Sequence, residues 1–143
     1  GWKVAEEVQR RLEERQPGPS VEYDFLALGG LSLMERMVGY RHVVIIDAIQ
    51  TGSQPVGSVN TYLFEELPDY AAGRTTAAHD TSLQTALTVG RGLGAALPEQ
   101  VHVVTVEAEV LFDFSEHMTP AVVAAVNPAA LEVIKLLDQY QEN

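Results

Sequence analysis

Two stretches of the chain are apolar without alternation: Val43-Val44-Ile45-Ile46 and, with brief polar interruptions, residues 101–106. Continuous runs of β-branched residues are the pattern of parallel strands covered on both faces. They predict strands over 41–49 and 101–106. Residues 58–64 alternate instead, with Val59, Thr61 and Leu63 on one side, and predict an edge or half-exposed strand. Residues 21–28 are strand-like and run into Gly29-Gly30, which opens a short helix over 31–38. The spacing of Val4, Ala5, Val8 and Leu12 among charged residues predicts an amphipathic helix over 2–15, ended by Gln16-Pro17-Gly18-Pro19. Leu83, Leu87 and Val89 or Gly90 mark the core side of a further helix over 80–93, where Thr81 and Gln84 have the spacing of a capping box. Thr119-Pro120 and Asn127-Pro128 each set a cap residue before a proline suited to a first helical turn, which predicts two consecutive closing helices. Strands alternating with helices imply an α/β fold, a mostly parallel twisted sheet with helices on both faces. No repeat or linker divides it, so residues 1–143 read as one domain.

The candidate chemistry gathers at strand and helix ends. Asp47 follows the run 43–46, and in open α/β sheets ligands bind outside the carboxyl ends of the strands. His79 arrives on the small-residue loop Thr76-Ala77-Ala78 at the start of a helix. A carboxylate and an imidazole together suit nickel, zinc or another first-row ion. The plainer alternatives are an Asp47 that caps the next turn through backbone amides and a His79 that only hydrogen-bonds. Gly29-Gly30 is either a tight turn needing positive φ or a set of free amides that receives an anion or a substrate backbone. Glu107, ending the second apolar run, is a weaker candidate for the same crevice. His42 and His117 read as solvated, and His102 as a satisfied residue of the sheet. Gly90-Arg91-Gly92-Leu93-Gly94 ends a helix instead of joining a strand to one, so it is no dinucleotide fingerprint.

The segment VVIIDAIQTGSQPVG at 43–57, with AAHDTSLQTAL at 77–87, Gly29-Gly30-Leu31 and Thr119-Pro120-Ala121-Val122, resembles the maturation endopeptidases of nickel-iron hydrogenases nearly end to end. The resemblance implies an aspartic-type endopeptidase activity that removes the carboxyl-terminal extension of a nickel-loaded hydrogenase large-subunit precursor. It implies that Asp47 and His79 are metal ligands and catalytic residues and that the nickel comes with the precursor; Gly29 and Gly30, by their placement between a strand and a helix, are the candidate substrate-binding residues. The metal would assist peptide hydrolysis. The family's third ligand is an acid in a Gly-Asn segment after a first strand. The sequence opens at Gly1-Trp2-Lys3, which corresponds to the helix just beyond, so either an amino-terminal segment precedes it or a ligand has been lost. The sheet is accordingly expected to be short by one strand. The family acid before the Gly-Gly turn falls on Phe25, with Asp24 one place off, so its role is not carried over. Two other readings stand beside this one. A receiver-like signalling domain would use Asp47 but lacks a strand-end lysine, since Lys135 falls in the last helix. A metallohydrolase with its own ion would need a third protein ligand.

Charge and composition narrow the partners. A net charge of -11 opposes contact with nucleic acid or an anionic membrane surface. No apolar stretch approaches the roughly 18 to 20 residues that span a bilayer. The absence of cysteine excludes disulfides and thiolate ligands, and the cytoplasm is the expected compartment.

Overall fold

The computed structural model describes residues 1–15, 20–25, 30–66, 78–109 and 119–141, with the backbone alone for 78–82. In chain order the elements are α1 (Trp2–Glu13), α2 (Gly30–Met37), β1 (His42–Ile49), β2 (Val59–Leu63), a 3-10 turn (Phe64–Glu66), α3 (Ala78–Gly92), β3 (Gln100–Glu107) and α4 (Pro120–Gln141). Among the described residues the strands form one sheet in the order β1-β3-β2. β1 runs parallel to β3, with Val43 opposite Val101 and Asp47 opposite Thr105, while β2 is antiparallel to β3.

Successive side chains of a strand point to opposite faces, and β3 fills both. Val104 and Val106 enter one core with Val4, Val8 and Leu12 of α1 and Ala125, Ala129, Ala130, Val133 and Leu136 of α4. Val101 and Val103 enter the other, with Met34 and Met37 of α2 and Leu83, Ala86 and Leu87 of α3. The sheet therefore carries a helix pair on each face, as the α/β pattern predicts. β1 splits the same way, with Val44 and Ile46 toward α1 and α4 and Val43 and Ile45 toward α2 and α3. Polar ties fasten α1 to α4: Arg11 donates to Asn127 Oδ1 at 3.0 Å, and Arg15 to Asp138 at 2.9 Å. On α1 itself, hydrogen bonds from Arg10 and Arg11 hold the Glu7 carboxyl down to about 2.

Four expectations are corrected. Residues 43–46 are half-buried, not buried: among the described strands β1 pairs with β3 alone, and the strand whose side chains are buried on both faces is the central one, β3. Residues 21–25 form no strand: Val21 and Tyr23 pack against the α1–α4 core, and 26–29 lie outside the described residues. α3 starts at Ala78, which puts Thr81 inside the first turn instead of at a cap, while the buried Leu83 and Leu87 keep their predicted place. The two closing helices are one 22-residue helix with Pro128 inside it. Packing of Ala129, Ala130 and Val133 beyond the proline outweighs the backbone bond that it cannot donate. At that length and apolarity α4 meets the size and composition of a membrane span, yet its Ala125–Leu136 side is core against α1 and the sheet.

At the amino edge of the sheet, Tyr140 of α4 stacks on His42 with ring centroids 4.1 Å apart and hydrogen-bonds His102 Nδ1. Burial pushes the Tyr140 hydroxyl up to about 12, so the phenol that bonds His102 stays protonated. Burial also lowers the His102 pKa from its ordinary 6.5; His42 adds to that, while Glu65 and Glu66 of the 3-10 turn oppose it. The unfolded chain thus binds the His102 proton more tightly than the folded one. The stability that neutral His102 contributes is present above about pH 6.5 and is lost as pH falls toward the lower folded value. Thermal unfolding from pH 7.5 to 5 should show the midpoint falling in the wild type and falling less in His102→Asn. Equal slopes would contradict this origin.

Candidate active site

Alternation along β1 sends Val43, Ile45, Asp47 and Ile49 to the face that α2 and α3 cover. Asp47, half-buried, is the first polar residue in that row as it approaches the carboxyl edge. The end of α3 is fixed at the opposite, amino edge. There Gly39 N donates to Ala96 O and Glu99 N to Arg41 O, both at 2.9 Å, and Gly90 abuts Leu97 and Met34. A 15-residue helix is about 22 Å long, so the first turn of α3, which carries His79, lies toward the carboxyl edge on the face of Asp47. The His79 side chain falls outside the described residues. α2 runs in the same sense, its Met34 against the end of α3, so buried Gly30 opens it from the carboxyl side. Gly30 has φ 53, the left-handed conformation that a turn into a helix needs; Gly29 lies outside the described residues. The start of α1 backs on the same strand end. Gly1 sits directly against the Ile46 carbonyl.

Sequence reasoning ranked Glu107 low, and the structure gives it a larger part. It is 1% exposed at the carboxyl end of β3, and by alternation it lies on the Asp47 face. Its carboxyl group accepts from Thr51 N at 3.0 Å and from the Thr51 hydroxyl. A buried carboxyl group is tolerated only when its oxygens are satisfied, and Thr51 reaches both. The strand-end position was the available signal; the partner, 56 residues away, had none. Asp24 forms an exposed pair with Arg36 at 3.4 Å and takes no part in the site. His102 is a satisfied sheet residue as expected. His42 is not solvated: it is half-buried under the Tyr140 ring, with Nδ1 buried and unpartnered among the described residues. His117 lies outside them. No group of three or more His, Cys, Asp or Glu that could hold a metal occurs among the described residues.

A sheet with a helix pair on each face, carrying Asp47 on its α2–α3 face two residues before β1 ends, is an α/β domain of the kind whose ligands bind at the carboxyl edge of the strands. The family model for hydrogenase maturation proteases of the HycI type matches residues 2–136. The chain belongs to the hydrogenase maturation protease family. Its fold is similar to three solved structures. Against the hydrogenase maturating endopeptidase HybD from E. coli, identity is 24% and the TM-score 0.65 over 96% of this chain and 83% of that one. An Escherichia coli endopeptidase solved in solution gives 25% and 0.68 over the same shares. The [NiFe] hydrogenase maturation protease HybD from Thermococcus kodakarensis gives 23% and 0.61, over 94% of this chain and 88% of that one. No curated protein matches.

The positive φ of Gly30 makes a direct stability prediction. A Cβ in that conformation costs roughly 1 to 2 kcal/mol, and asparagine tolerates it better than alanine does. Gly30→Ala should lower the denaturant midpoint by an amount in that range, and Gly30→Asn by less. An unchanged midpoint for Gly30→Ala would show that the turn does not need the left-handed conformation.

Proposed function

We propose that this protease removes the carboxyl-terminal extension of a nickel-loaded hydrogenase large-subunit precursor in the cytoplasm, with Asp47 and His79 as the residues that meet the precursor's nickel. The observation that supports this most is the position of Asp47 at the carboxyl edge, on the face along which α3 brings its first turn and His79. Nickel belongs to the substrate in this reading. A carboxylate and an imidazole are a chemically suitable pair for a first-row ion, and two protein ligands leave positions for those the precursor supplies. The bound metal would supply Lewis-acid polarisation near the scissile bond. The chain's own residues do the rest. Asp47 supplies negative charge at the crevice, and His79 supplies a neutral nitrogen donor. The backbone amides of Gly29 and Gly30 receive the substrate backbone.

Cleavage of a purified nickel-loaded precursor, followed by the loss of its extension on a gel, tests the assignment. Asp47→Asn and His79→Ala should each slow processing by at least about 100-fold, as expected when a group acting on the reacting centre is removed. Both should keep the fold, judged by circular dichroism. Wild-type protein should leave nickel-free precursor uncut. Processing by His79→Ala at the wild-type rate would remove His79 from the site, and cleavage of nickel-free precursor would remove the metal from recognition.

A further inference from the structure

Glu107 satisfies its buried carboxyl group on one residue of the loop that follows Asp47. Thr51 N donates to Oε2 at 3.0 Å and the Thr51 hydroxyl donates to Oε1. A threonine hydroxyl has one proton. With that proton on Glu107, the hydroxyl oxygen of Thr51 is the acceptor for Ser53 N at 3.1 Å and for the Ser53 hydroxyl at 2.8 Å. The carboxyl group thus sets Thr51, and Thr51 sets Ser53. The backbone around Glu107 holds both ends of the same loop. Gly57 N donates to Glu107 O at 2.7 Å, Glu107 N to Ser58 O at 2.9 Å, and Ala108 N to Ile49 O at 2.7 Å. Gln50 Nε2 reaches Glu109 O at 3.1 Å. At Gly57, φ is +91 and an added Cβ would lie 2.7 Å from the Ala121 carbonyl, so the loop also backs closely on the start of α4.

We propose that Glu107 is a positioning residue of the processing reaction: acting through Thr51, it fixes the 50–58 loop that forms the carboxyl-edge surface next to Asp47 and so orients the precursor's peptide. The proposal rests on the reading of Asp47 as a site residue. Glu107 is not itself the reacting acid or base, because it is fully buried and both oxygens are engaged. Its contribution is to the geometry of the loop, and a misplacement of about 1 Å at a reacting centre costs on the order of 100-fold in rate.

The test is steady-state processing of nickel-loaded precursor by Glu107→Ala, Glu107→Gln, Thr51→Val, Thr51→Ser and the Glu107→Ala/Thr51→Val double variant, with Asp47→Asn alongside. All are assayed well below their unfolding midpoints. Glu107→Ala and Thr51→Val should each lower kcat by about 10- to 100-fold with KM changed less than about 2-fold. The double variant should be no slower than the worse single one, because both remove the same interaction. Glu107→Gln, whose amide oxygen still accepts from Thr51 N, and Thr51→Ser, which keeps the hydroxyl, should restore most of kcat. Normal kcat in Glu107→Ala, or in Thr51→Val if Glu107→Ala does not fold, overturns the proposal while the Asp47 reading stands. Glu107→Gln as slow as Glu107→Ala overturns it too, since the charge itself would then act. Normal processing by Asp47→Asn overturns the site, and the proposal with it.

Discussion

The rest of the structure depends on the covering of β3 on both faces. With β1 parallel on one edge and β2 antiparallel on the other, its backbone groups are used up in ladders. Its valines then divide between two cores, Val104 and Val106 on one side and Val101 and Val103 on the other. Each core requires a helix pair to exclude water, and the parallel neighbour requires a crossover that brings α3 back along one face. That return is why a helix begins where the strands end. The candidate site residues Asp47 and Gly30 lie toward the carboxyl edge, where this arrangement brings strand ends and helix starts together.

The polar end of β3 extends the same logic. Past Val103 its row on the α2–α3 face continues into Thr105 and Glu107, both buried. A strand that ends in buried polar side chains has to find partners for them: the Thr105 hydroxyl donates to the Asn60 carbonyl of β2 at 3.5 Å, and Glu107 accepts from Thr51 in the loop leaving β1. The amino edge handles its own polar burden differently, by stacking His42 and bonding His102 on a single tyrosine. The two edges are therefore unlike in kind: aromatic and closed at one, carboxyl-bearing and loop-lined at the other.

Much of this was legible in the residues. The unalternated valines and isoleucines gave the two parallel strands, the helical spacing of Val4, Val8 and Leu12 gave α1, and Leu83 with Leu87 gave the core side of α3. The exposure of β1 was not legible, because composition cannot tell which of two similar runs receives a second strand neighbour. The single helix α4 was missed for a related reason. Asn127-Pro128 is a sound local start signal, and only the tertiary burial of Ala129, Ala130 and Val133 overrides it. In the site, Asp47 and Gly30 stand out by position alone. The Glu107–Thr51 contact and the Tyr140 cluster join residues 56 and 38 positions apart, and nothing short of the folded chain brings them together.

Pro128 gives α4 two halves with different attachments. It has no N–H to offer the Ala124 carbonyl, so the ladder is interrupted in the middle of the helix. The half before it meets the loop at Gly57 through Ala121, and the half after it carries Tyr140 to the histidines at the far edge. One helix thus ties together the two unlike ends of the sheet, its first half backing on the loop that Glu107 holds and its second half covering the histidines.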